Sequence, residues 1–215
     1  MRYPLLVFDW DGTIIDSPGA IVECIREASR ELGLRMPERE RAAHVIGLGL
    51  RDSLQQAVPD LPAERYDEFV ALYRKHFLAR EDSMPLFPGM HDLLSVLSRS
   101  HTLAIATGKS RRGLERALDA TKLAPLFASS RCADETEPKP HPAMLLELME
   151  ELSVDAGRIL MIGDTAHDLE MARAAGVDAV AVTYGAHPEE GLRACPSLGC
   201  FSTVEKLSAW LMANA

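Results

Sequence analysis

Leu5-Leu6-Val7-Phe8-Asp9-Trp10-Asp11-Gly12-Thr13 is the stretch from which the rest of this chain can be read. Its first four residues are apolar without interruption, too short for a helix and greasy on both faces, as a buried strand is. Strands of that kind belong to parallel sheets covered on both sides. Residues 102–106, 159–162 and 179–182 repeat the pattern. Between them, 89–97, 111–118, 142–152 and 167–175 carry apolar residues three and four apart, the spacing of helices with one buried face. Strand and helix in alternation predict an α/β fold, a doubly wound parallel sheet. In that architecture ligands gather at the carboxyl ends of the strands, so the residues just after each strand come first.

After the first strand stand Asp9 and Asp11. If the extended chain continues, their side chains point the same way. Two carboxylates at the end of a buried strand are costly without compensation. A divalent metal is the economical partner, and hard oxygen ligands suit Mg²⁺. Gly12 lets the backbone turn tightly and offer peptide N–H groups to an anion. A surface turn capping the strand would explain the tetrapeptide alone equally well.

The later strand ends weigh against the turn. Thr107-Gly108-Lys109 offers a hydroxyl and a flexible backbone for phosphate oxygens. Asp164 and Asp168 stand four apart after the strand at 159–162, so a helix starting there would let both face one site. Lys139 sits in Pro138-Lys139-Pro140-His141-Pro142, where the prolines stiffen the backbone around a cation. Each has a dull explanation singly. Their joint occurrence at strand ends and flanking loops does not.

About 70 residues after the first strand break the alternation. Ser17-Pro18 reads as an N-cap and first-turn pair. Ile21, Ile25, Ala28 and Leu32 make one apolar stripe, and Tyr66, Phe69, Val70, Tyr73 and Phe77 another. Extra helices on the sheet are the plain reading. A helical cap inserted at the strand's carboxyl end fits better, because that is where it would cover the site. The expected division is a core of residues 1–16 and 85–215 with a cap of residues 17–84.

Composition bounds the function class. Acidic residues outnumber lysine and arginine by 32 to 23, a net charge of −9, so the basic surface of a general nucleic-acid binder is missing. No apolar run approaches the ~20 residues of a membrane span, and Asp9 interrupts the first apolar stretch too early for a signal peptide. Cys24, Cys132, Cys195 and Cys200 have no zinc spacing; reduced thiols in a cytoplasmic protein are the expectation, with Cys195–Cys200 the pairing to watch.

Read in order, Phe8-Asp9-Trp10-Asp11-Gly12-Thr13-Ile14-Ile15-Asp16-Ser17, Thr107-Gly108, Lys139-Pro140-His141-Pro142 and Gly163-Asp164 with Asp168 resemble the four motifs of the haloacid dehalogenase superfamily. The likeness covers nearly the whole chain, and the first and third motifs fit its phosphoglycolate-phosphatase-like branch. It implies a Rossmann-like core with a helical cap. It implies that Asp9 is a nucleophile forming an aspartyl-phosphate. Asp11 would be the acid and base. Mg²⁺ would be held by Asp9, the backbone carbonyl of Asp11 and Asp164, with Asp168 in or beside that shell. Thr107 and Gly108 would hold phosphoryl oxygens beside Gly12 and Thr13, and Lys139 would offset charge on nucleophile and phosphate. Asp11 argues against dehalogenases, which lack it. Gly163 argues against β-phosphoglucomutase-type mutases, which usually carry glutamate there. Signalling receivers share the phospho-aspartate chemistry but are shorter and lack the insertion. A silent binding protein would usually have lost a motif residue.

The expected partner is a small phosphorylated metabolite, phosphoglycolate first, with pyrophosphate, sugar phosphates or nucleotides behind it; neither nucleic acid nor membrane is expected. The chain is expected to be a monomer or weak homodimer. Arg51 could meet a second anionic group of the substrate, although a solvated helix arginine is the plainer reading. His44, His141 and His167 are ambiguous in the same way. Lys109, Arg111 and Arg112 could raise the potential near the phosphate or simply be a solvated first turn.

Overall fold

The computed structural model describes residues 2–81 and 84–215. Met1, Asp82 and Ser83, which fall in the expected core and cap ranges, lie outside the described residues.

Six parallel strands form one sheet: β1 (Leu5–Phe8), β2 (Thr102–Thr107), β3 (Ser129–Cys132), β4 (Ile159–Gly163), β5 (Asp178–Val182) and β6 (Cys200–Phe201). Their spatial order is β3-β2-β1-β4-β5-β6, the doubly wound arrangement, with the reversal at β1. Strand alternation sorts β1 between two cores. Leu6 and Phe8 pack with α5 (Met90–Leu97), α6 (Arg111–Thr121) and α10 (Val204–Asn214). Leu5 and Val7 pack on the opposite face with α7 (Ala143–Leu152), α8 (Ala166–Ala175) and α9 (Glu189–Ala194). Each strand residue therefore leaves water, which explains an apolar run rather than an alternating one.

Two strands escaped the sequence reading for the same reason. β3 reads Ser-Ser-Arg-Cys and β6 has two residues; both are sheet edges, only partly covered, where no apolar run is required. The four expected strands and four expected helices are present within three residues of their ends. The closing helix buries Leu211, while Trp210 packs against Phe201 at 5.6 Å between ring centres.

Residues after β1 form α1 (Pro18–Glu31), α2 (Arg39–His44), α3 (Leu50–Ala57) and α4 (Tyr66–Glu81) around a third apolar cluster. Ile21, Ile25, Ala28 and Leu32 meet Phe69, Val70 and Phe77 there, as the stripes predict. Ser17 departs from expectation. It stands at the N-cap of α1, but its hydroxyl makes no capping bond and instead donates to Asp11 Oδ1 at 2.7 Å. No helix among the described residues is long and apolar enough to cross a membrane, and all four cysteines are free.

Candidate active site

The carboxyl ends of β1, β2 and β4 bring Asp9, Thr107 and Asp164 together, all fully buried. The Asp9 N–H extends the ladder by donating to the Ile162 carbonyl at 2.9 Å, which fixes the residue against β4. The chain then turns at Gly12, whose φ of +81° is a left-handed value that glycine adopts without strain. Any Cβ at Gly12 would also overlap the Asp164 carboxylate. Asp164 is itself fixed: Thr13 Oγ1 donates to Oδ1 at 2.8 Å and the Ala186 N–H to Oδ2 at 2.7 Å.

α8 begins one residue after Asp164–Thr165, so Asp164 precedes the helix instead of sharing its first turn with Asp168 as expected. Thr165 is the N-cap and Asp168 is N3 in a capping box: Asp168 Oδ2 accepts from the Thr165 N–H at 3.1 Å and its hydroxyl at 2.7 Å. The other oxygen, Oδ1, faces Lys139 Nζ at 2.6 Å. Asp168 therefore caps a helix with one oxygen and serves the site with the other. A Cβ on Gly163 would overlap Asp168, so the residue before Asp164 leaves no room for a glutamate.

Lys139 is 1% exposed, and its ammonium bridges Asp9 Oδ1 at 2.7 Å and Asp168 Oδ1 at 2.6 Å. Burial alone would lower this lysine, but Asp168 and Asp9 outweigh it and hold the ammonium above its ordinary range. Ligand oxygens of Asp9, Asp164 and Asp168 lie within 4.8 Å of one another. Three buried carboxylates thus face one ammonium, and Asp9 Oδ2 has no hydrogen-bond donor. Burial, with repulsion from Asp168 and Asp164, pushes Asp9 well above the carboxylate range. Asp164 is pushed up to about 7 by burial and then by Asp168. This donor set, all hard oxygens with surplus negative charge, fits a divalent cation of the Mg²⁺ type.

The Asp11 carboxylate is not in that cluster. β1 ends at Phe8 and the chain bends at Trp10, so the alternation that would have aligned it with Asp9 is lost, and it faces Lys109 Nζ at 3.2 Å from both oxygens. The Lys109 ammonium in turn lies 4.6 Å over the Phe77 ring of α4, so this lysine, which precedes the N-cap Ser110 of α6, is neither solvated nor free.

Gly108 sits where the 45–49 segment comes down onto the site. A Cβ there would stand 2.6 Å from the carbonyl oxygens of Gly47 and Leu48. Backbone cannot yield as a flexible side chain can, so Gly108→Ala, which keeps the N–H, is expected to prop this segment away. Displacement of about an ångström at a catalytic site costs roughly 10²-fold. A kcat/KM within twofold of wild type would refute the clash.

The same segment is tied down beyond Asp164. The His44 carbonyl accepts from His167 Nε2 at 2.9 Å and His187 Nε2 at 3.0 Å, and the His44 ring stacks on His187. His187 Nδ1 accepts the Ala166 N–H at 3.1 Å, so its Nε2–H neutral form satisfies both partners. Burial lowers His187 to about 4, against an ordinary 6.5, and lowers His167 too. The unfolded chain takes up the His187 proton first on acidification. This contribution is therefore intact above pH 6.5 and is lost as pH falls toward 4, by up to about 3 kcal/mol. Urea unfolding at pH 7 and pH 5 should show that acid limb, and His187→Gln, which cannot charge, should flatten it. An equal slope in both proteins would exclude the assignment.

Of the remaining candidates, Arg51 is exposed and lies 4.7 Å over the Tyr66 ring, lining the same cavity as Asp9 without joining the carboxylates. His141 is exposed and accepts the Ala143 N–H at the start of α7, outside the site. Sequence reasoning missed Tyr184, whose hydroxyl donates to the Thr13 carbonyl at 3.1 Å, together with Ala186 and His187. All three follow β5, and the strand-end rule applied to that strand would have found them.

The haloacid dehalogenase-like hydrolase family matches residues 6–182. A probable phosphatase, IndB, of Dickeya dadantii is 37% identical over 89% of this chain and 86% of its own length. A phosphoglycolate phosphatase of Aliivibrio fischeri is 30% identical over 84% of each. The structure of a predicted phosphoglycolate phosphatase from Haemophilus somnus superposes with a TM-score of 0.89 over 100% of this chain and 99% of that one; at 22% identity it speaks to the fold alone. With its strand order, its buried carboxylates and these relatives, the chain belongs to the haloacid dehalogenase-like hydrolases, as a phosphatase of the phosphoglycolate phosphatase-like kind.

Proposed function

We propose that this chain hydrolyses phosphomonoesters in a Mg²⁺-dependent reaction with the phosphoryl group carried transiently on Asp9. The observation that carries the reading is the buried set of Asp9, Asp164 and Asp168 around Lys139. An Asp9 oxygen attacks phosphorus, and the bond from phosphorus to the alcohol oxygen breaks. Asp11 gives that oxygen a proton, then takes one from the water that attacks the phospho-aspartate, releasing inorganic phosphate and restoring Asp9. Lys109 and Ser17 hold the Asp11 carboxylate for both transfers. Thr107 and the Gly108 N–H meet the transferring phosphoryl oxygens, and Lys139 offsets charge on Asp9 as the phosphate arrives.

A carboxylate meeting a phosphate dianion pays about 4 kcal/mol per like-charge pair at 4 Å and an effective dielectric of 20. Asp9, Asp164, Asp168 and the Asp11 carbonyl would hold Mg²⁺, which supplies the positive charge that offsets this repulsion. Residues 17–84 act as a cap over the site, the core being residues 1–16 and 85–215. The free thiols support a cytoplasmic enzyme. It acts as a monomer or weak homodimer.

Phosphate release from a panel of esters with Mg²⁺ and with EDTA tests the reading. The relatives' names put phosphoglycolate on that panel. Release that is equal with and without chelator would remove the metal from the reaction.

A further inference from the structure

The cavity opening onto Asp9 and Asp11 measures about 850 Å³, toward the upper end for sites that enclose whole drug-sized molecules. One apolar wall is made by Ile21 and Ile25 of α1 with Val70, Tyr73 and Phe77 of α4. Tyr73 and Phe77 lie 5.9 Å apart at 28° between planes, a stacked aromatic pair. This pair adjoins the reacting groups. Lys109 of the core lies on the Phe77 ring, and the Tyr73 hydroxyl is raised by burial and by its closeness to Asp11.

We propose that the alcohol portion of the natural ester is bulky and largely apolar, of the size of an aromatic or heterocyclic ring, and lies against Val70 and Tyr73 of this wall. This rests on the phosphomonoesterase reading above and names the substrate class of that same site. A two-carbon acid would leave most of the cavity unfilled. Its carboxylate would also need a cation near the phosphate. Lys109, the cation beside Asp11, is already held by both Asp11 oxygens and covered by Phe77. The other basic groups of the lining that pair with no carboxylate among the described residues, Arg51, Arg74 and Arg112, are exposed.

The test compares three esters of primary alcohols, so that leaving-group chemistry is similar: 2-phenylethyl phosphate, ethyl phosphate and phosphoglycolate, with the full chain in Mg²⁺. The expected result is a kcat/KM for the phenylethyl ester at least about 30-fold above both others, which is about 2 kcal/mol of transition-state binding. Tyr73→Ala and Val70→Ala should each lower that ratio several-fold. A phenylethyl ester turned over no better than the ethyl ester or phosphoglycolate would overturn the inference and leave the phosphatase reading standing. A ratio unmoved by both substitutions would overturn the placement on this wall. No Asp9-dependent release from any ester would instead overturn the reading itself, and the inference with it.

Discussion

Asp9→Asn lowers kcat by at least about 10⁴-fold while the chain stays folded. Removing a nucleophile costs rate on this scale because no other group can form the covalent bond. Asp9 is the residue for which the site has the least structural need. Its Oδ2 has no donor, and burial with repulsion from Asp168 and Asp164 already disfavours its charged form. An amide of the same shape removes one of three crowded charges and leaves Lys139 still paired with Asp168. The melting temperature in EDTA should therefore stay level or rise, and the gain that Mg²⁺ gives the wild type should shrink. Rapid-quench detection of phospho-protein, present in wild type and absent in the variant, checks the chemistry. Undiminished turnover would exclude Asp9 as the phosphate carrier.

Lys139→Met should damage both rate and stability. Its ammonium is the only cation of the described residues that bridges Asp9 and Asp168, and all three residues are buried. Taking one partner from a buried ion pair costs about 3–5 kcal/mol, since the charges left behind are uncompensated. Loss of an electrostatic contact to the transferring phosphoryl group costs a further 10²–10³-fold in kcat, the usual scale for one such donor. The pH dependence has a definite sign. Without Lys139 the buried carboxylates take up protons more readily folded than unfolded. The defect is therefore smallest near pH 4 and grows as pH rises past the ordinary carboxylate range. Urea midpoints at pH 4.5 and 7.5 for both proteins measure it; a gap that narrows with rising pH would contradict this account.

The core of this molecule was legible wherever burial forces a pattern. β1, β2, β4 and β5 lie inside the sheet and must be apolar on both faces, so their residues announce them. The residues after β1, β2 and β4 became candidates by that route alone, and the structure brings Asp9, Thr107, Lys139, Asp164 and Asp168 together. Edges and partners were not legible. β3 satisfies its backbone on one side of the sheet and needs few apolar residues, so Ser-Ser-Arg-Cys reads as loop. Ser17 looked like a cap because serine before proline usually is one, but the carboxylate six residues back competes for the same hydroxyl and wins. Lys109 looked like solvent-facing charge because nothing local reveals that Asp11 and Phe77, 98 positions away in the first case, will meet it. The capping box at Thr165–Asp168 was available in the sequence as a Thr-x-x-Asp signal, and its reading would have placed the helix start correctly.

The placement of β1 between β2 and β4 also bears on how the chain is made. Asp164 meets Thr13 across 151 positions, so a ribosome must release that much more chain before the first motif finds its partner. The helices from α1 to α4 are complete long before then and close mainly on neighbours within their own segment. Until residues 159–163 emerge, Leu5–Phe8 has no neighbour on its β4 side, an apolar edge of the kind that recruits other strands. A chain stalled or cleaved between β2 and Lys139 should therefore hold no nucleophile-and-cation pair and should be unusually adhesive. Translation pausing in that interval would show up as aggregation rather than as stray hydrolysis.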